Sequence, residues 1–363
     1  VRQRLDAALA GDPREIVLTG GEPTLRSDLV DLVQRAAAGG ARVVLETNGA
    51  LIDAVRARAL AAAGLTTARV QLVAWGDEAA DTIIAEQIAR GESAPIFVEA
   101  YTGKEVLFFY WAAAWMKLIG TSVFAMRLAA ATLGILTVAA TYWMTRELLA
   151  SRSAQPEQKM QDAGSQYVAL LAAIFIATSF AHILMSRVGF RSISEPFIQS
   201  IALAALFRGL RFNRLKWIAI AGVFVGLNLY TYLAARLFPV AIGLLCLYMT
   251  IADRGRRRQR IIQFLVLTLC AIIIFLPLGI YFINKPAAFM TRIQQVAPRA
   301  DQSIALIDNL GRALGMFFIR GDPYIRFNEP YRPLFPGVLG ALFSIGLIVA
   351  LIGLLRSRSP RRR

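Results

Sequence analysis

A Thr19-Gly20-Gly21-Glu22-Pro23 run follows the short apolar stretch Glu15–Leu18. Two glycines just past a strand let the backbone approach a ligand closely, and Glu22 beside them is placed to hold a cationic group. A second segment, Glu46-Thr47-Asn48-Gly49, closes the next apolar run. Farther on come an acidic pair, Asp77-Glu78, a Lys104-Glu105 pair, and Arg187, Arg191 and Arg236 near the ends of apolar runs. A carboxylate can act as general base, and a guanidinium can meet a phosphate bidentately. Thiol chemistry is not expected. The two cysteines, Cys246 and Cys270, lie inside apolar runs, so neither a disulfide nor a metal site is predicted. The one histidine, His182, sits within a run and reads as a hydrogen-bonded packing residue.

The elements that must position these residues change character along the chain. Residues 15–18 and 42–45 read as strands, with helical spacing at Leu29, Val30, Leu32 and Val33 between them. Ile52 to Ala63 reads as a further helix and residues 70–73 as a third strand. This alternation predicts βαβ units and a parallel sheet. From Val106 onward the chain is a succession of apolar runs. The spanning candidates are residues 123–148, 165–186, 194–207, 217–233, 237–252, 261–283 and 337–355. The stretch 106–118 is shorter and aromatic, and reads as a helix lying at an interface.

Composition agrees with that division. The chain of 363 residues is 56% hydrophobic, too apolar for an ordinary soluble domain. Its formal charge of +16 is not spread as in a nucleic-acid binder. Arginines gather at the ends of apolar runs around 208–216, 254–260 and 356–363, the positive-inside pattern of a multi-pass inner (plasma) membrane protein. The bilayer is therefore an expected partner, and nucleic acid is not. Taking those clusters as cytoplasmic puts the loop before Thr121, the turn 187–191, the turn near Arg236 and the segment 284–335 outside.

The Gly-Gly-Glu-Pro and Glu-Thr-Asn-Gly segments resemble the radical S-adenosylmethionine (radical SAM) enzymes over about residues 12–76. The resemblance implies that Gly20, Gly21 and Glu22 contact the amino group of the bound cofactor. That family also needs a CxxxCxxC loop to hold an iron–sulfur cluster through thiolates. No cysteine precedes Gly20, so neither cluster nor S-adenosylmethionine is expected to function here.

From Asp77 on, a second resemblance applies. The order of Asp77-Glu78, Pro95-Ile96-Phe97, Gly103-Lys104-Glu105, the 118–128 segment, Arg187 to Arg191 with Glu195-Pro196, and Asn228 to Tyr232 with Arg236 is similar to GT-C class membrane glycosyltransferases. The closest group is that resembling protein O-mannosyltransferases and aminoarabinose transferases. The resemblance implies transfer of a sugar from a polyprenyl-phosphate donor to a lipid, glycan or protein acceptor on the external face, with inversion. Asp77 would be the base and Glu78 its orienter or a metal contact. Lys104, Glu105, Arg187, Arg191 and Arg236 would line the donor-phosphate site. A divalent metal remains open, and nothing in the sequence specifies one. Asp77-Glu78 read instead as a solvated turn after the third strand is the plain alternative.

The expected fold is mostly α, a polytopic membrane protein of about seven transmembrane helices with a small N-terminal α/β segment like part of a βα barrel. The expected domains are residues 1–76, an external loop 77–122, and a transmembrane region 123–363. Val1 and the Arg-rich end lead this reading to expect a fragment lacking a first span and a C-terminal membrane region. The competing readings are a radical SAM fragment fused to a membrane anchor, an inactive chimera, and a non-enzymatic membrane protein.

Overall fold

A computed structural model describes residues 2–19, 23–47, 52–70, 76–99, 103–150, 156–290, 303–321, 331–335 and 337–357. The chain divides into two compact units, Val1–Trp75 and Gly76–Arg363.

The first unit is built by βα alternation. Helix α1 (Arg2–Leu9) precedes strand β1 (Glu15–Leu18), followed by α2 (Leu29–Ala38), β2 (Arg42–Thr47), α3 (Ala54–Ala62) and β3 (Leu65–Val70). The strands pair in parallel in the order β1-β2-β3, with Leu18 opposite Leu45 and Thr47 opposite Val70. All three therefore end at one edge. Leu29, Leu32, Val33 and Ala36 recur at helical spacing on α2, and bury that face against Val43 and Leu45 of the central strand. Asp53 caps α3 by accepting from the Arg56 amide at 2.7 Å. The third strand runs over Leu65–Val70, and so begins ahead of the expected residues 70–73, of which 71–73 lie outside the described residues. The Thr66 hydroxyl accepts from the Val43 amide at 3.2 Å, which ties this edge strand to its neighbour.

The second unit opens with α4 (Gly76–Ala89) and the two-residue strands β4 (Phe97–Val98) and β5 (Lys104–Glu105), which pair antiparallel. Then come α5 (Leu107–Ile119), α6 (Val123–Leu149), α7 (Pro156–Thr178), α8 (Phe180–Arg187), α9 (Ser194–Phe212), α10 (Leu215–Asn228), α11 (Phe238–Ala252), α12 (Arg257–Asn284), α13 (Ser303–Gly315) and α14 (Val338–Ser357). One core joins α4, α5 and α6 through Ile84, Ile88, Phe108, Phe109, Met116 and Met126. A second joins α9, α10, α11 and α12 around Leu206, Ile218, Val225, Ile242 and Leu267. Small residues set the approach of α10 to α12. A methyl group on Gly222 would lie 2.3 Å from the Leu267 carbonyl oxygen, and one on Gly226 would lie 2.7 Å from that of Ala271.

Three helical stretches are long and apolar enough to cross a membrane, Val123–Leu149, Leu233–Ala252 and Arg254–Asn284, among the described residues. A fourth is reached if Gly164–Thr178 and Phe180–Arg187, bent by 57° to each other, count as one span. The structure thus supports fewer crossings than the seven expected. The 217–233 run is helical only to Asn228, and α10 covers 14 residues, about 21 Å against a hydrocarbon core of about 30 Å. Helix α9 carries Glu195, Arg208 and Arg211 within its 19 residues. In α14 the apolar stretch is the short Val338–Ala350.

Candidate functional site

In the first unit the segments of interest leave the carboxyl ends of adjacent strands, where open α/β sheets bind ligands. Gly20, Gly21 and Glu22 follow β1 and precede a 3-10 turn over Pro23–Leu25, and residues 48–51 follow β2. Gly20–Glu22 and 48–51 lie outside the described residues. Their flanks are well anchored. Thr24 and Thr47 are buried. The Arg26 carbonyl accepts from Arg56 Nη2 at 3.0 Å, which fastens the turn to α3. Arg26 also pairs with Asp28 through two hydrogen bonds of 2.9 Å, and that guanidinium holds the Asp28 carboxyl below the usual carboxylate range.

The second unit holds a buried polar centre. Asp81 of α4, Lys104 and Glu105 of β5, and Arg191 of a 3-10 turn (Arg191–Ile193) are all at most 2% exposed. Lys104 donates to Asp81. Arg191 lies 3.8 Å from both Asp81 and Glu105. Arg236, in a 3-10 turn (Leu233–Leu237), reaches Glu105 at 3.5 Å and donates to the Phe289 carbonyl at 3.3 Å. Arg191 and Arg236 also stack over aromatic rings, Tyr232 at 5.2 Å and Phe289 at 4.6 Å. Arg187 is exposed at the end of α8 and, among the described residues, forms no ion pair in this centre.

Glu78 belongs to a neighbouring contact. It is buried, accepts two hydrogen bonds from Arg127 and a third from the Gly189 amide at 2.8 Å. A carboxylate so fully engaged is a staple between α4, α6 and the turn after α8. Both Asp77 and Glu78 stand in the first turn of α4 rather than in a loop, and the Asp77 side chain lies outside the described ones. Asp81 was not singled out from the sequence. Its signal was available: Glu78 and Asp81 are three apart and Ile84, Ala85 and Ile88 continue the same buried stripe. A carboxylate on an apolar face requires an internal cation.

Residues 1–101 match the radical SAM superfamily. The chain is 45% identical over 67 residues to an Fe-coproporphyrin III synthase of Methanosarcina barkeri, covering 18% of this chain and 16% of that protein. It is 47% identical over 75 residues to a GTP 3',8-cyclase of Synechococcus elongatus, covering 20% of this chain and 22% of that one. The chain thus spans less than a quarter of the curated relatives it matches. No solved structure matches it.

These matches overturn the glycosyltransferase reading. The family and both relatives belong to radical SAM chemistry, not to sugar transfer from a lipid phosphate. The physical reason for the error is visible in α4. The Asp-Glu pair that seemed to open a catalytic loop begins a packed helix, and Glu78 is consumed by Arg127 and Gly189. The donor-phosphate role given to Lys104, Glu105, Arg187, Arg191 and Arg236 was tied to that reading. In the structure Lys104, Arg191 and Arg236 are met by internal carboxylates.

The radical SAM match implies S-adenosylmethionine and an iron–sulfur cluster, so the expectation that both are absent is revised in part. The residues of this chain do not fit the cluster. Its only cysteines are Cys246 of α11, buried, and Cys270 of α12, both within apolar helices of the second unit. Among the described residues no group of three or more His, Cys, Asp or Glu is placed to hold a metal ion.

Proposed function

We propose that the first unit is the S-adenosylmethionine-holding face of a radical SAM-type enzyme, carried on a helical unit that seats it at a membrane. Gly20 and Gly21 let the backbone close on the cofactor, and Glu22 takes its amino group by a charge-assisted hydrogen bond. The reading rests on one observation: the match to the radical SAM superfamily covers residues 1–101, the part of the chain whose adjacent parallel strands precede these loops. Membrane seating rests on the three long apolar helices and on arginines gathered at their ends. No radical step is assigned to this chain, because its own residues do not supply the thiolates that hold the cluster.

Calorimetric titration of the full chain in neutral detergent with S-adenosylmethionine tests the proposal. One-to-one binding without added iron is expected, with no iron–sulfur absorbance after anaerobic reconstitution. Absence of binding at millimolar cofactor overturns the first part. Release of the chain from membranes by alkaline carbonate overturns the second.

A further inference from the structure

The turns after α9 and after α11 come together around a cavity of about 450 Å³. Asn213 and Leu215 line it from the first turn, and Arg256, Arg258, Gln259 and Ile262 from the second. A buried network ties the two turns to each other. Asn213, in the left-handed conformation (φ 55°) that ends α9, accepts from Gln263 at 3.1 Å. Arg260 donates to Gln263 at 2.9 Å and to the Asp253 carboxylate at 3.0 and 3.2 Å. Gln263 and Arg260 are both buried. Between Glu195 and Asp301 the sequence holds a single acid, Asp253, and Arg260 takes it. Arg256 and Arg258, exposed on the lining, form no ion pair and no side-chain hydrogen bond among the described residues.

Two guanidinium forks at one cavity, with no acid of their own, set the chemistry of what fits. Each fork can donate two parallel hydrogen bonds to an oxyanion. A carboxylate brings a single charge, whereas a phosphate monoester brings close to two and has three free oxygens. That matches both guanidiniums and leaves an oxygen for the side-chain amide of Gln259, half-buried on the same lining. At about 450 Å³ the cavity is of small-molecule size, and Leu215 and Ile262 give it apolar lining for a carbon body. We propose that this cavity binds the phosphate group of an organic phosphate ester. A soluble ester and a phospholipid headgroup share that chemistry. Both arginines are exposed, so salt screens the attraction and binding weakens as ionic strength rises. Nothing in the proposal depends on cofactor binding by the first unit, and failure of S-adenosylmethionine to bind would leave it standing.

The test is phosphorus NMR of glycerol phosphate offered to the full, delipidated chain in a neutral detergent. The signal is expected to broaden with the wild-type chain and to sharpen again as salt is raised. Arg256→Gln combined with Arg258→Gln is expected to weaken binding about five-fold or more. Arg254→Gln combined with Arg257→Gln takes the same charge from the same turn outside the cavity lining, and is expected to weaken it less than about two-fold. Both variants leave the Arg260 contacts to Asp253 and Gln263 in place, so neither strands a buried group. Absence of broadening with the wild-type chain, or equal loss in the two variants, overturns the site. Phosphatidylglycerol added to the detergent then decides the source. Displacement of glycerol phosphate assigns the site to a lipid headgroup, and its retention assigns the site to a soluble ester.

Discussion

Arg127 grips the buried Glu78 carboxylate through two parallel hydrogen bonds, Nε to Oε1 at 2.9 Å and Nη2 to Oε2 at 3.0 Å. The arginine side chain is 40% exposed and the glutamate 1%, so the burden of burial falls on the acid. Arg127→Ala leaves that acid with the Gly189 amide as its remaining hydrogen-bond donor. The expected loss is about 2 kcal/mol, below the full cost of stranding a wholly buried pair. Arg127→Lys should recover part of it. Unfolding of the purified chain in detergent by denaturant measures both.

The Lys104–Asp81 pair is buried on both sides. Lys104→Met takes away the direct donor of a buried carboxylate, although Arg191 stays 3.8 Å from it, and is expected to cost about 3 kcal/mol. Asp81→Asn combined with Lys104→Met should cost distinctly less than the two single changes added. A double-mutant cycle by thermal unfolding reads the coupling, and simple additivity would refute it.

Close packing of α10 on α12 has a sharper steric signature. Gly222→Ala pushes a methyl group against backbone, the Leu267 carbonyl, which cannot swing aside as a side chain would. A loss of about 1–3 kcal/mol and of folded yield is expected. Gly243→Ala on α11 meets nothing within 4 Å and should be neutral or slightly favourable. Size-exclusion profiles of the two variants separate the outcomes.

Acid should loosen the joint between β4 and the end of α12. The Lys285 ammonium, and then the Tyr281 hydroxyl, donate to Glu99 and hold its carboxyl below the usual range. A lowered carboxylate contributes stability above its unfolded value, and loses it as pH falls through the folded one. Lys285, raised by the same bond, sets the opposite limit, at the alkaline end. Carboxyl-carbon NMR of Glu99 should show a titration midpoint that climbs toward the ordinary value in Lys285→Gln.

Cofactor binding should respond to one side chain. Glu22→Ala removes the proposed partner of a charged amino group and is expected to weaken S-adenosylmethionine binding about ten-fold or more. Calorimetry on wild type and variant checks it, and equal affinity would exclude Glu22 from the site.

The parallel sheet was legible because apolar runs and Gly-rich ends alternate with helical spacing at a period that leaves few other folds. The third strand was displaced because Leu65 to Val70 is an edge strand, with Thr66 and Arg69 facing solvent, and shows no apolar run. Span counting failed for a related reason. Hydropathy sums over a run and is blind to where backbone hydrogen bonding stops, as at Ser179, where the chain bends, and at Asn228, whose carbonyl accepts from Thr231 in a turn. The acidic pair at residues 77 and 78 was visible, but its meaning was not. Only the fold brings Arg127 and the Gly189 amide to Glu78 across 49 and 111 positions of sequence.

The chain of ion pairs from Lys104 through Asp81, Arg191 and Glu105 to Arg236 also bears on the order of assembly. Glu105 emerges from the ribosome long before Arg236, the cation that reaches it at 3.5 Å. Until residues 233–237 have been made, the early helices of the second unit carry an acid without its full complement of counter-charges. Their packed arrangement therefore matures late in synthesis, and a nascent chain halted before that point holds an unfinished interior for quality control to recognise.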